Sequence, residues 1–191
     1  MSATRRFRQA AAVVTAVTAV ALGMPPVASG CGLEPAVRGG FTVSHPGALD
    51  IAVAVADARR AGLLPQADPA AASNEVQLRI LLADLRRLQS RLSAGTVAIS
   101  EGPATPFSLV LVGPGLWSHF DLTSAGVQAH YHVDGPLQGE VVVLTHPVVL
   151  EALLQGTMTT EEATQSGLMA FEGSGADSIR KVFETGMAPG A

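Results

Sequence analysis

Residues 145–182 read THPVVLEALLQGTMTTEEATQSGLMAFEGSGADSIRKV, and this stretch divides cleanly into four elements. Pro147 suits a first helical turn, where its missing N–H has no intrahelical partner. Val148, Val149, Leu150, Leu153 and Leu154 fill the apolar helix that follows, and Gly156 ends it. Thr159 and Glu162 are spaced as a capping box, in which each side chain bonds the other residue's backbone N–H, so TEEATQSG is a second, short helix. Gly167 stops that helix, and LMAFEG at 168–173 is a strand-length apolar segment closed by glycine. A closing helix runs from Ala176 to Glu184, with Asp177 near its start and Ile179, Val182 and Phe183 facing inward. No catalytic motif lies anywhere in the stretch.

Upstream, the period of the apolar residues changes. GEVVVLTH at 139–146 is a buried strand by its branched residues. FSLVLVG at 107–113 is a short apolar strand ended by Gly113-Pro114-Gly115. Residues 116–135 read as a hairpin turning at Thr123–Gly126. TVAIS at 96–100 is a further candidate strand. Before it, Leu78, Leu81, Leu82, Leu85, Leu88 and Leu92 recur at three- and four-residue steps, the mark of an amphipathic helix. Ser73 or Asn74 caps that helix, Glu75 favours its positive end, Arg79, Arg86, Arg87 and Arg91 take the outer face, and Gly95 is expected to stop it. Residues 48–62 read as a helix with Leu49, Val53, Ala56 and Arg60 on one face, although IAVAVA also alternates like a strand. PQADPAAAS at 65–73 is a loop, and the tail from Gly186 is expected to fray. Strands in succession flanked by helices predict an α+β fold: a single twisted, mostly antiparallel sheet of about five strands covered on one face by helices.

The first 30 residues read as an export signal. Arg5, Arg6 and Arg8 form a basic start, and Ala10 to Met24 is an uncharged apolar run shorter than a spanning helix. Cys31, the only cysteine in the 191 residues, follows Ala28-Ser29-Gly30. That arrangement resembles a bacterial lipobox with Ala28 in place of the usual leucine-like residue, so Cys31 is a candidate for lipidation. Plain cleavage between Ala28 and Gly30 and a retained N-terminal anchor are the alternatives. The expected location is exported, periplasmic or membrane-anchored. Without residues 1–30 the chain carries 9 basic and 16 acidic side chains, a formal charge of −7 that opposes binding to nucleic acid. The expected organisation is therefore a signal at 1–30, a leader with one helix at 31–72 and a domain at 73–191.

The C-terminal residues carry a resemblance. Leu153, Leu154 and Gly156, followed by Glu161, Glu162, Ala163, Ser166, Gly167, Leu168, Glu172 and Gly173, resemble the sterol carrier protein 2-like family, whose helix leads through a "(P)EEAxxSGxLxxEGD" passage into a C-terminal helix. The resemblance covers about residues 75–185, and Ser174 stands where the family has an acid. It implies a sheet with helices over one face and an apolar tunnel holding a sterol, a fatty acyl chain or a quinone-like molecule.

Residues with chemistry to offer fall into two groups. Phe107, Leu109, Leu111, Trp117, Phe120, Leu150, Leu153, Leu154, Met158, Leu168, Phe171 and Phe183 are the candidate ligand-binding set, with simple core packing as the plain alternative. His130 and His132 share a face of a strand because side chains alternate, and a hairpin at Thr123–Gly126 brings His119 near them; three imidazoles suit zinc or copper. Catalysis finds no support. Ser166 and Ser174 lack a nucleophile elbow. Adjacent Glu161 and Glu162 diverge on a helix, so they cannot flank one bond as glycosidase carboxylates do. No cofactor is implied. The leading expectation is a non-enzymatic carrier of a hydrophobic, lipid-like molecule, followed by a periplasmic metal-binding protein and an interaction module of an envelope complex.

Overall fold

The structure, a computed structural model, describes residues 45–67, 74–98, 106–123 and 126–188; the expected signal segment, Cys31 and the leader to residue 44 lie outside them. Helices are α1 (Ala48–Arg60), α2 (Asn74–Ala98), α3 (Pro147–Gln155), α4 (Thr160–Gln165) and α5 (Ala176–Gly186). Strands are β1 (Phe107–Leu111), β2 (Leu116–Thr123), β3 (Gly126–Val133), β4 (Val141–Thr145) and β5 (Met169–Glu172). They form one open sheet in the order β3-β2-β1-β4-β5. Three neighbouring pairs are antiparallel, and the central pair β1–β4 is parallel, with Leu109 opposite Val143.

Every residue of β1 and β4 is buried. A strand flanked on both sides within the sheet and apolar on both faces needs cover above and below. On the inner face lie Phe107, Leu109 and Leu111, in register with Phe120, Ser118 and Leu116 of β2 and with Val141, Val143 and Thr145 of β4. Helices α2, α3 and α5 cover this side. The outer face carries Val110, Trp117, Val142 and Leu144, and a Cβ built on Gly47 at the start of α1 would sit 3.1 Å from Leu144. The sheet is thus covered on its inner face by three helices, and α1 covers part of the other.

The predicted C-terminal stretch is present in detail. His146 caps α3, its Nδ1 accepting the N–H of Val148 at 3.2 Å, with Pro147 in the first turn and Gly156 left-handed at φ 71° to close the helix. The Thr159–Glu162 capping box is complete: Oγ1 of Thr159 accepts the Glu162 N–H at 3.2 Å, and Oε2 of Glu162 accepts the Thr159 N–H at 2.8 Å. Those backbone and hydroxyl bonds hold the Glu162 carboxyl below its ordinary range.

Four expectations are overturned. Helix α1 buries Ala48, Ile51, Val55 and Ala58, while Leu49 and Val53 of the expected face are 58% and 51% exposed. Gly95 does not stop α2, which continues through 96–98, so those residues are helical and not a strand; 99 and 100 lie outside the described residues. The reason is packing. A Cβ on Gly95 would lie 2.8 Å from the backbone nitrogen of Gly186, and one on Gly186 would lie 2.9 Å from the carbonyl oxygen of Arg91. The two glycines are the contact where α2 and α5 cross backbone to backbone. For the same reason the tail starts later than expected: Gly186 and Met187 are buried. The fourth concerns His132 and belongs to the site below.

Gly95→Ala and Gly186→Ala are therefore expected to destabilise the fold by about 1–3 kcal/mol each, the usual cost of overpacking, despite alanine's better helix propensity. Urea denaturation of the two variants measures this. A gain in stability from either would mean that the helices do not meet at this point.

Candidate functional site

The sheet carries a different chemistry on each face. The inner face is an aromatic and aliphatic layer. Phe107 stacks on Phe120 at 4.9 Å between ring centroids, and Phe183 of α5 meets Phe107 edge-on at 5.6 Å and Phe171 at 5.4 Å. Offset or edge contacts of this kind add about 0.5–1.5 kcal/mol each to simple burial. Leu109, Leu111, Leu150 and Leu153 are fully buried in the same core, and Leu154 and Leu168 nearly so. Phe171 and Met158 are half-buried at its margin, where the Arg180 guanidinium lies 5.7 Å over the Phe171 ring. All twelve candidate ligand-binding residues belong to or pack against one hydrophobic core; Trp117 enters it from the outer face of the sheet, its ring 6.1 Å from that of His45. The alternation of β2 separates Trp117 from Phe120.

The layer is closed firmly at one end. Besides the Gly95–Gly186 crossing, α2 caps the outer edge of β3: Ser93 Oγ accepts the Val127 N–H at 3.0 Å and Gln89 Nε2 donates to the Val127 carbonyl at 2.9 Å. Gln89 also accepts the Tyr131 hydroxyl at 2.7 Å. Burial then falls away along the helix. Leu78, Leu81, Leu85, Leu88 and Leu92 form one core-facing stripe, in which Leu85, Leu88 and Leu92 are 0% exposed while Leu78 and Leu81 are only half-buried. Val76 and Ile80 beside them are 41% and 54% exposed. The half-buried Leu81 and Leu82 join the core together with Val148 and Ala152 of the neighbouring α3. Burial raises the Asp84 carboxyl pKa, opposed by Arg87 and reinforced by the nearby Glu151 of α3. Among the described residues an apolar seam at the N-terminal end of α2 thus runs from the core to solvent. Sequence periodicity found the stripe but gave no sign of where its cover ended.

The outer face holds the polar cluster. His119 pairs with His130 across β2 and β3, ring centroids 6.2 Å apart, as the hairpin predicted. His132 does not join them. The register slips between Trp117 and Ser118, so that Val133 and Tyr131 face consecutive β2 residues and His132 is the extra residue of a bulge, at φ 66°. A bulge breaks the alternation on which the His130–His132 pairing rested. His119 and His130 have carboxylate partners. His119 Nδ1 lies 3.0 Å from Oε1 and 3.2 Å from Oε2 of the buried Glu140, and its Nε2 lies 3.0 Å from Asp121. Asp121 reaches His130 Nε2 at 3.6 Å, and Glu140 also accepts the Ser108 hydroxyl at 2.6 Å and the Leu137 N–H at 3.1 Å. This chain of bonds ties the β3–β4 loop to the sheet. Among the described residues no group of three histidine, cysteine, aspartate or glutamate side chains is placed to hold a metal ion. Sequence reasoning missed Glu140 because its partners are remote in sequence.

Set against this geometry, comparison with known proteins gives no matching family model and no matching curated protein. Solved structures do match. The chain is similar to palmitated sterol carrier protein 2-like 2 from Aedes aegypti, at 19% identity over 52% of this chain and 90% of that one, with a TM-score of 0.41. The crystal structure of sterol carrier protein 2-like 2 from the same organism matches at 16% identity over 53% of this chain and 96% of that one, with a TM-score of 0.38. An inverting sec-alkylsulfatase from Pseudomonas sp. matches at 9% identity and a TM-score of 0.36; half of this chain aligns, spanning 14% of the sulfatase. Among the described residues no helix is long and apolar enough to cross a membrane.

Two measurements follow. Zinc and copper are expected to leave the melting temperature unchanged, and a metal-induced rise abolished by replacing His119, His130 and His132 with alanine would restore the metal reading. His146 gives the pH test. Burial, reinforced by Arg59, lowers its pKa to about 4. The folded state keeps this imidazole neutral, whereas the unfolded chain takes up a proton near pH 6.5, so stability falls as pH drops from about 6.5 to about 4, by about 3 kcal/mol in all. His146→Asn keeps a cap acceptor and removes the titration. Its stability profile between pH 7 and 4 should be flatter than the parent's by that amount.

Proposed function

We propose that this domain binds a hydrophobic, lipid-like molecule between the inner face of the sheet and helices α2 and α3, and carries it without transforming it. The observation that carries this reading is the burial gradient along α2. One leucine stripe is sealed at Leu85, Leu88 and Leu92 and opens at Leu78 and Leu81, next to exposed Val76 and Ile80. Binding sites for apolar ligands are concave, largely apolar and carry few polar groups. A ligand covering about 300 Å² of apolar surface there gains roughly 7 kcal/mol from burial alone, of which association entropy removes part. The likeness to a palmitated sterol carrier protein 2-like protein lies in the same direction. Sterols, fatty acyl chains and quinone-like molecules are the ligand classes proposed. Nucleophile and acid–base signatures are missing from the sequence, which favours a carrier over an enzyme. The N-terminal residues support export, with Cys31 as the lipid-bearing anchor.

Native mass spectrometry of the purified protein, with lipid extraction, is expected to find one bound apolar molecule per chain or its uptake on addition. Leu81→Gln, at the half-exposed part of the stripe, should weaken uptake about tenfold with little loss of stability, whereas Leu85→Gln in the sealed part should unfold the domain through a buried unpaired amide. Failure to take up any sterol, acyl chain or quinone would overturn the proposal.

A further inference from the structure

Among the described residues four buried side-chain atoms have no hydrogen-bond partner, Glu140 Oε1, Thr160 Oγ1, Arg180 Nε and the hydroxyl of Ser118, and the last of these lies within the inner face of the sheet. Ser118 lies in the middle of β2, opposite Leu109 of β1 and Tyr131 of β3, with Leu116 and Phe120 two residues away on the same face. It is 0% exposed, and its Oγ makes no hydrogen bond. The other hydroxyls near it are engaged. Tyr131 donates to Gln89, and Thr145, on the same face, donates to the Leu168 carbonyl at 3.1 Å. Ser108, the buried serine on the opposite face, donates to Glu140. Buried hydroxyls are nearly always bonded, because leaving one unmade forfeits its hydration with no return. A valine or alanine would serve this position better if it were only core.

We infer that Ser118 is the polar subsite of the apolar binding layer, and that it receives a neutral oxygen function, an alcohol hydroxyl or a ketone carbonyl, on an otherwise hydrocarbon ligand. This rests on the carrier reading above and narrows its ligand class. A hydroxyl both donates and accepts, so it matches either function. None of the four sheet side chains around Ser118 is charged, so an ionised headgroup placed there would find no counter-charge within the sheet. A carboxylate ligand therefore has no seat at this position, and a plain alkane leaves the hydroxyl unbonded.

The test compares dodecanol, 2-dodecanone, dodecane and dodecanoate on the full chain and on Ser118→Ala, by displacement of a bound apolar fluorophore. Dodecanol and 2-dodecanone should lose about fivefold to twentyfold in affinity on the substitution, the worth of one hydrogen bond. Dodecane and dodecanoate should not change. The empty Ser118→Ala protein should unfold at the same or a higher urea concentration, because an unbonded hydroxyl has been removed. Equal dodecanol affinity in the two proteins, or a less stable Ser118→Ala protein, would overturn the subsite while leaving the carrier reading intact. If none of the four probes binds either protein, the carrier reading fails and the subsite with it.

Discussion

The parallel pairing of β1 with β4 is the constraint from which the rest of the architecture follows. These two strands sit at the centre of the sheet, and both are buried along their whole length. Parallel neighbours cannot be joined by a tight turn, so the β2–β3 hairpin and its loop must make the crossover. Two apolar faces at the centre then require two layers of cover. The inner layer is supplied by α2, α3 and α5, and the smaller outer patch by α1.

The two faces of the sheet separate stability from function. The outer side of β2 and β3 is polar, and its carboxylates and imidazoles are linked through Glu140, His119 and Asp121. Such a network fixes a loop and a register, and a buried carboxylate with several donors is costly to disturb. The inner side has almost no polar groups, and its cover is uneven along α2. Where two glycines let α2 and α5 meet backbone to backbone the layer is sealed, and at the N-terminal end of α2 the described residues leave it exposed to solvent. The same helix thus serves as a fixed wall at one end and as the lip of an apolar seam at the other.

Local chemistry was legible residue by residue. Thr159 and Glu162 declared their capping box, and Pro147 and Gly156 bounded α3, because these signals act within four residues. The β2–β3 hairpin and the His119–His130 pairing were also readable, since a short turn fixes register. Gly95 was misread because a glycine at a helix stop and a glycine at a helix crossing look alike until the partner, Gly186, is in view. His132 was misread because a bulge is a property of two strands and not of one.

By itself, then, the sequence determined the order and type of most elements and the apolar stripes of α2, α3 and α5, since capping, periodicity and turn chemistry are local forces. The order of strands in the sheet and the end of α2 left uncovered were decided only in the tertiary structure. So were the burial of Glu140 and the isolation of the Ser118 hydroxyl. Each of these depends on contacts between residues far apart in the chain, where packing and desolvation outweigh local preference.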